Sequence, residues 1–269
     1  MSGDAIRVTT ALTSLPEDTV ISNRTDRAAA DPRVADLVQA GEIRFAVFLP
    51  QYRKDAATGG LAGVGMGHVA IEMTRALAAQ LGVAPRAVEL ETPLQAVGCV
   101  KNGDCDLGYL GIEPSRAAVL DFSPPIIQFD YTLLVPKDSA IENFAAADRP
   151  GVRIAVVNNH ASTFALKRIV QRATIIGADL PEQTFENFRA GRADAFAAPR
   201  DHLLDFAEKL PGSRVLDDGY GVNNVGIAVA KDRPERLSFI SDFVADAKSS
   251  GLIARIIEQG RLRGLRAAP

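Results

Sequence analysis

Tryptophan is absent from these 269 residues, and aromatic residues of all kinds make up only 6% of them. Stacking platforms for nucleic-acid bases are therefore not expected. Charge of either sign is not in excess either. Lys and Arg number 30 against 33 Asp and Glu, a formal net charge of −3, which gives no attraction to a phosphate backbone or an anionic membrane. No apolar run approaches the roughly 20 residues that span a bilayer. Histidine occurs three times, at His68, His160 and His202, and cysteine twice, with no metal-ligand spacing, so no metal or cofactor is expected. The cysteines, Cys99 and Cys105 in "GCVKNGDC", read as two small, partly buried thiols flanking a turn, although Asn102-Gly103 would also let them close a short disulfide loop.

The opening residues carry neither a basic n-region nor an apolar h-region, so no secretory leader is legible in the chain as written. Either a leader has been removed or the protein stays inside the cell. Missing too are the G-x-S-x-G elbow, H-E-x-x-H, the P-loop and a G-x-G-x-x-G that opens a helix after a strand. The "GVGMG" stretch from Gly63 lacks that register and reads as part of a loop.

What is present is an ordinary globular composition, 47% hydrophobic and 23% charged, enough for one large or two modest cores. Residues 1–31 are polar and unpatterned, a flexible arm. Asp31 as N-cap, Pro32 in the first helical position and Gly41 as a stop predict a short helix over "DPRVADLVQAG". "EIRFAVFL" alternates as a strand, and "RKDAATGGLAGVGMG" is a Gly-rich loop. Val69, Met73, Ala76, Leu77 and Leu81 then share one helical face before Gly82. Strands follow at "RAVELET", "DCDLGYLG", "YTLLVPKD", "RPGVRIAVVNN", "ATIIGA", "ADAFAAPR" and "VNNVGIAVAKD". Helices are expected at "PLQAVGCVKNG", "SRAAVLD", "HASTFALKRIVQR" and "LPEQTFENFRAG", and over "RPERLSFISDFVADAKSSGLIARIIEQGR" with a break at Ser249-Ser250-Gly251. Such alternation means α/β layers with mostly parallel sheets. It halts at Asp121-Phe122-Ser123-Pro124-Pro125, as when a chain leaves one α/β lobe and begins another.

The ordered series "GHVAIEMTRALAAQLG", "VKNGDCDLGYLGIEPSRAAVLDFSPP", "YTLLVPKDSAI", "GVRIAVV", "FENFRAGRADAFAA", "GIAVAKDRPE" and "VADAKSSGLIARIIEQ" resembles the family 3 extracellular solute-binding proteins. These are amino-acid receptors of ABC importers with the type II periplasmic-binding-protein fold. The resemblance covers roughly residues 40–265. Its most specific parts are the Glu113-Pro114-Ser115-Arg116 stretch with its following Asp121-Phe122-Ser123, and the Gly191, Asp194, Ala195 pattern. It implies two α/β lobes joined by two hinge crossovers, near residues 122–127 and 219–225, with a ligand cleft between them. Residues 1–39 would form an arm and short helix, 40–125 with 224–269 the first lobe, and 126–223 the second.

The resemblance also implies a site. Arg116 follows a strand end, where ligands of open α/β sheets collect, and its guanidinium offers a two-pronged donor; the matching arginine in the family grips the ligand's carboxylate. Gly111, Glu113 and Ser115 share its loop. Asn159, His160, Ala161 and Ser162 open a helix after a strand, where backbone N–H groups seat an anion. Family members usually have small hydroxyl residues there, so His160 either adds a donor to an anionic ligand or caps the helix and faces water. Tyr52 is the candidate aromatic wall, with Phe48 assigned to the core. Amino-acid receptors of the family carry an aspartate for the ligand's α-ammonium five residues after the position of Asp194; here that residue is Pro199. Either Asp201 or Glu113 replaces it, or the ligand has no α-ammonium. Asp194 and Glu72 are given structural roles.

The leading reading is a monomeric, non-enzymatic receptor without cofactor. It would close on a small carboxylate ligand, an amino acid or derivative, and present it to an ABC permease in the membrane, with a periplasmic location by resemblance. The alternatives are a cyclohexadienyl-dehydratase-like enzyme using Glu113 or His160 as general acid, and a cytoplasmic ligand sensor.

Overall fold

The chain builds the same unit twice in the computed structural model, which describes residues 30–48, 51–54, 61–158 and 160–269. A 3₁₀ turn (Pro32–Val34) capped by Asp31 runs into α1 (Ala35–Ala40). The first unit then comprises β1 (Glu42–Phe48), a hairpin of β2 (Tyr52–Lys54) and β3 (Leu61–Gly63), α2 (Met66–Leu81), β4 (Ala84–Leu90), α3 (Pro93–Asn102) and β5 (Leu107–Gly111). The single turn α4 (Pro114–Ala117) and the short β6 (Leu120–Phe122) follow. β7 (Ile127–Val135) leads through α5 (Phe144–Ala147) to the second unit: β8 (Arg153–Val157), α6 (Ala161–Ile169), β9 (Thr174–Ala178), α7 (Pro181–Arg189) and β10 (Ala195–Pro199). After α8 (Arg200–Lys209) and β11 (Arg214–Val215), β12 (Gly221–Ala230) returns, and α9 (Pro234–Ser249), α10 (Leu252–Gln259) and β13 (Leu265–Ala267) complete the described elements.

Hydrogen bonding orders the strands β4-β1-β5-β12-β7-β10-β8-β9. The two ends mirror each other. β4-β1-β5 and β9-β8-β10 are parallel trios in the same internal order, each completed by an antiparallel strand arriving from the other unit. The crossover strands β7 and β12 pair antiparallel from Gly221↔Tyr131 to Val225↔Ile127. The result is a two-lobed α/β fold of type II periplasmic-binding-protein architecture, with its cleft where the parallel strands end.

A repeated charge clamp fixes each trio. In the first unit, Asp106 of "GDCD" accepts from the backbone N–H, Nε and Nη2 of Arg44 on β1, while Nη2 also reaches the Gly103 carbonyl. In the second, Asp194 of "GRAD" accepts from the same three groups of Arg153 on β8, and Nη2 reaches the Gly191 carbonyl. A Gly-x-x-Asp turn before the third strand thereby aligns it with the first. Asp194 thus has the structural role its sequence suggests. Arg236 of α9 adds a buried pair with Asp106 and ties the returning helices to the first unit.

Several sequence expectations need correction. The stretch after Phe48 is not a plain loop, because Tyr52 pairs with Gly63 and Lys54 with Leu61. The helix expected at "SRAAVLD" is one turn long, since Leu120–Phe122 peel away to pair with β12. α8 went unread: its N-cap position is Pro199, so no side chain signals its start. The polar arm over residues 1–29 lies outside the described residues. Finally, Cys99 and Cys105 are not thiols but a disulfide. The chain reverses at Gly103, the Cys105 N–H donates to the Cys99 carbonyl at 3.0 Å, and the two Cα atoms stand 5.1 Å apart, within bridging range. Among the described residues no helix is long and apolar enough to cross a membrane.

The bridge closes a short loop, so Cys99→Ala/Cys105→Ala is expected to lower unfolding free energy by about 2 kcal/mol. Denaturant titration of the two proteins measures this, and an equal midpoint would show that the loop needs no cross-link.

Candidate functional site

β5 delivers the chain to the cleft. Its last residue, Gly111, is closely approached by side-chain ends: a Cβ there would lie 2.8 Å from Asn223 Oδ1 and 3.3 Å from Arg116 Nη1. Pro114 then starts the single turn of α4, which folds the Arg116 side chain back over the strand end, where Nη1 donates to the Gly111 carbonyl at 3.0 Å. No carboxylate among the described residues forms an ion pair with it; Asp121, a few residues on, pairs with Lys231 at 3.1 Å. Burial pulls the guanidinium below the ordinary arginine range, offset in part by Glu113 and Tyr131. Arginine stays protonated in proteins, so this is a desolvated cation with donors to spare.

The second unit supplies α6. His160 is its N-cap: Nδ1 accepts from the Ser162 backbone N–H at 3.2 Å and lies 2.8 Å from the Ser162 hydroxyl. An imidazole that accepts at Nδ1 and is neutral carries its proton on Nε2, on the far side of the ring. Burial, helped by His202 and Arg116, drives the His160 pKa down to about 4, so the neutral form dominates at pH 7. The side chain therefore caps the helix, as one of its two sequence readings holds, but it is half-buried instead of facing water. Ser162 is buried and Ala161 half-buried beside it. Asn159 lies outside the described residues.

Between these two arms stands Tyr131. Its ring is stacked on Tyr220 at 5.8 Å and meets Phe129 edge-on at 6.1 Å, which leaves its hydroxyl buried and without a partner. Burial raises its pKa, and Glu113, Arg116 and Asp201 all act on it. Tyr131 is thus within electrostatic range of all three charged groups. Asp201, in the first turn of α8, has a buried and unpartnered Oδ1. Asn223 Oδ1 is likewise unpartnered, and the buried Tyr220 hydroxyl approaches Ser162 without a well-aligned hydrogen bond.

The structure therefore brings together Arg116, Gly111, Glu113, His160 and Asp201 of the residues singled out by sequence. Ser115 is exposed, and Tyr52 is half-buried on the β2–β3 hairpin and packs against the main core. Phe48 belongs to the core, as expected. Sequence reasoning passed over Tyr131, Tyr220, His202 and Asn223. The two tyrosines sit among apolar residues and look like core, but Asn223-Asn224 inside an otherwise apolar strand was a readable signal. A separate concavity of 410 Å³ on the first unit, lined by Arg44, Arg86, Asp106 and Arg236 among others, is filled mostly by charges that pair with each other.

Two α/β lobes, joined by paired crossover strands and enclosing unpaired polar groups, make up the type II periplasmic-binding-protein fold. Residues 57–259 match the model of the bacterial extracellular solute-binding proteins, family 3, and the chain belongs to that family. A glutamine-binding protein of Geobacillus stearothermophilus is 25% identical over 166 residues, 60% of this chain and 63% of that protein, so the chain spans under two thirds of the length of this relative. An ancestral amino acid-binding protein, described as a precursor of cyclohexadienyl dehydratase, superposes with a TM-score of 0.66 at 25% identity over 84% of this chain and 97% of that one. The solute receptor for L-cysteine of Neisseria gonorrhoeae shares the fold, with a TM-score of 0.67 at 23% identity over 86% and 94%.

Because the His160 pKa is lower in the folded than in the unfolded state, its neutral form favours folding above pH 6.5, and this is lost as pH falls toward 4. Asp201, raised by burial, acts in the opposite sense, so a comparison of variants is required. His160→Asn keeps a capping acceptor without the titration. Between pH 7 and 4.5 the wild type is expected to lose about 2–3 kcal/mol more than this variant in urea unfolding. Parallel pH profiles would remove His160 from the desolvated, neutral role.

Proposed function

We propose that this protein is a receptor that closes its lobes on a small carboxylate-bearing solute, an amino acid or a close derivative, and hands it to the permease of an ABC importer. The observation that carries this reading is Arg116: a desolvated cation, held over a strand end by one hydrogen bond to Gly111 and free of carboxylate partners among the described residues. A ligand carboxylate would take the remaining donors, and lobe closure would strengthen the pair by excluding water. In this reading the N-terminus of α6 and the Nε2–H of His160 supply further donors. The lobes divide at residues 125/126 and 223/224 in this reading, so that β7 and β12 bend as the hinge. Family membership and the binding functions named for the related proteins favour an amino-acid ligand. The Cys99–Cys105 bridge and the family's extracellular character favour a location outside the cytoplasm.

A second reading has one specific observation behind it, the likeness to a precursor of cyclohexadienyl dehydratase. Glu113 and His160 are then the groups able to move a proton in the cleft. Incubation with prephenate and with arogenate, followed by absorbance, separates the two readings: turnover identifies an enzyme.

Under the receptor reading, L-arginine, L-lysine or L-glutamine raises the melting temperature of the wild type by mass action. Arg116→Ala is expected to abolish that rise, a loss of about 100-fold or more in affinity, while the unliganded protein melts as before. A ligand-induced shift of unchanged size in Arg116→Ala would dismiss the carboxylate clamp.

A further inference from the structure

After α10 the chain leaves the first unit and runs along the paired crossover strands. α10 lies against α2, and Gly260 abuts the His68 ring there, where a Cβ would stand 2.5 Å from Cδ2. Arg261 then takes a φ of 49°, the only positive φ outside glycine among the described residues, and Gly264 turns again at 77°. β13 follows and pairs with β7 from Leu265↔Phe129 to Ala267↔Ile127, while β12 holds the other edge of the same three residues. It takes up the edge of β7 just past Pro199↔Tyr131, where β10 leaves it. The ribbon of β7 and β12 thus has a third strand, supplied by the returning chain.

This segment meets α8 of the second unit at two places. Gly264 packs on the first turn: a Cβ there would fall 2.9 Å from the Asp201 nitrogen and 3.1 Å from its Cα, backbone atoms that cannot swing aside. One residue earlier, Arg263 Nη2 reaches Glu208 Oε1 at 2.7 Å and Asp205 Oδ1 at 3.4 Å. The two carboxylates are three residues apart, on one face of α8. Arg266 donates to Asp130 of β7 at 2.8 Å, and Arg200 of α8 faces the same carboxylate at 3.7 Å. From the first unit, Gly65 also comes close, since a Cβ on it would lie 3.8 Å from Asp201 Oδ2. Arg263, Asp205 and Glu208 are all exposed, so dissolved salt screens their attraction.

We propose that residues 260–267 are a strap along the hinge and that Arg263, with Asp205 and Glu208, is its latch, which biases the unliganded protein toward closed lobes. Bending at β7 and β12 would carry α8 away from Arg263 and Gly264, so opening breaks the latch while β13 stays paired with β7. Arg261 and Gly264 hold the turns that aim the Arg263 side chain at α8. The inference rests on the two-lobe reading above and adds to it a resting bias that the ligand need not supply. Apparent affinity scales with the fraction of protein already in the binding-competent form, so the latch also tightens binding. An exposed pair of this kind shifts such an equilibrium by about twofold to fivefold.

The test reads lobe separation on the full chain by pulsed electron resonance. Spin labels are attached through a keto amino acid at Leu94 and Leu180, exposed residues beside the outer strands β4 and β9, and the disulfide stays intact. The unliganded wild type is expected to show mainly the short distance. Arg263→Ala, or about 1 M salt on the wild type, should lower the ratio of short to long distances about twofold to fivefold. The melting temperature of Arg263→Ala should stay level, which separates a latch from a general loss of structure. Arg263→Glu should lower the ratio further, and Arg263→Glu/Glu208→Arg should recover it. A wild type that is mainly open, or an Arg263→Ala protein with the wild-type ratio, overturns the latch. Repeating the measurement with L-arginine, L-lysine and L-glutamine tells the two failures apart. If an amino acid shortens the distance while Arg263→Ala changes nothing, the latch falls and the receptor reading stands. A distance that no variant, salt or amino acid alters overturns the latch and the hinge together.

Discussion

Five residue pairs, from Gly221↔Tyr131 to Val225↔Ile127, tie the two crossover strands together, and each strand continues into a different parallel trio. Neither unit therefore closes its own sheet: β12 completes the first and β7 the second. The hydrogen-bonded path runs unbroken through the whole molecule, yet the parallel strands that end at the cleft come from two separate repeats. Tyr131 and Asn223 are contributed by this shared ribbon. The floor of the proposed site and the proposed hinge are consequently the same piece of backbone.

The electrostatics of the cleft follow from where each repeat ends its third strand. Outside the cleft, the Gly-x-x-Asp clamps neutralise Arg44 and Arg153 with Asp106 and Asp194, and surface charges pair in the same way. Inside it, Arg116, Asp201, Tyr131 and Asn223 all hold capacity that the chain does not use. Unsatisfied polar groups are a burden to a folded protein, and their concentration between two lobes is what the proposed ligand role rests on. His160 differs from its neighbours in that its acceptor nitrogen is committed to capping α6, which fixes the tautomer and leaves a single N–H on the far side of the ring.

Much of the architecture was legible because strand and helix periods alternate cleanly and the double proline at Pro124-Pro125 interrupts them. The strand-end arginine was legible because Gly111, Glu113 and Pro114 bracket it in a recognisable order. What stayed hidden has physical causes. α8 begins behind a proline with no capping side chain, so the helix that carries Asp201 was not signalled. β6, β11 and β13 are two or three residues long and exist only because β12 and β7 offer them edges, a tertiary fact that no local pattern carries. Tyr131 and Tyr220 read as core because their rings are core; only the position of their hydroxyls makes them part of the cleft. The disulfide depended on how tightly the chain turns at Gly103.

That bridge also breaks the likeness between the repeats. Cys105 occupies, in "GDCD", the place that Ala193 occupies in "GRAD", and both turns hold the same kind of Arg–Asp clamp. One turn is covalently stapled to the helix before it, and the other relies on hydrogen bonds alone. Transient fraying of the turn is thereby suppressed by a covalent bond in one repeat and resisted by hydrogen bonds alone in its twin, so reduction of the bridge would leave the two turns restrained in the same way.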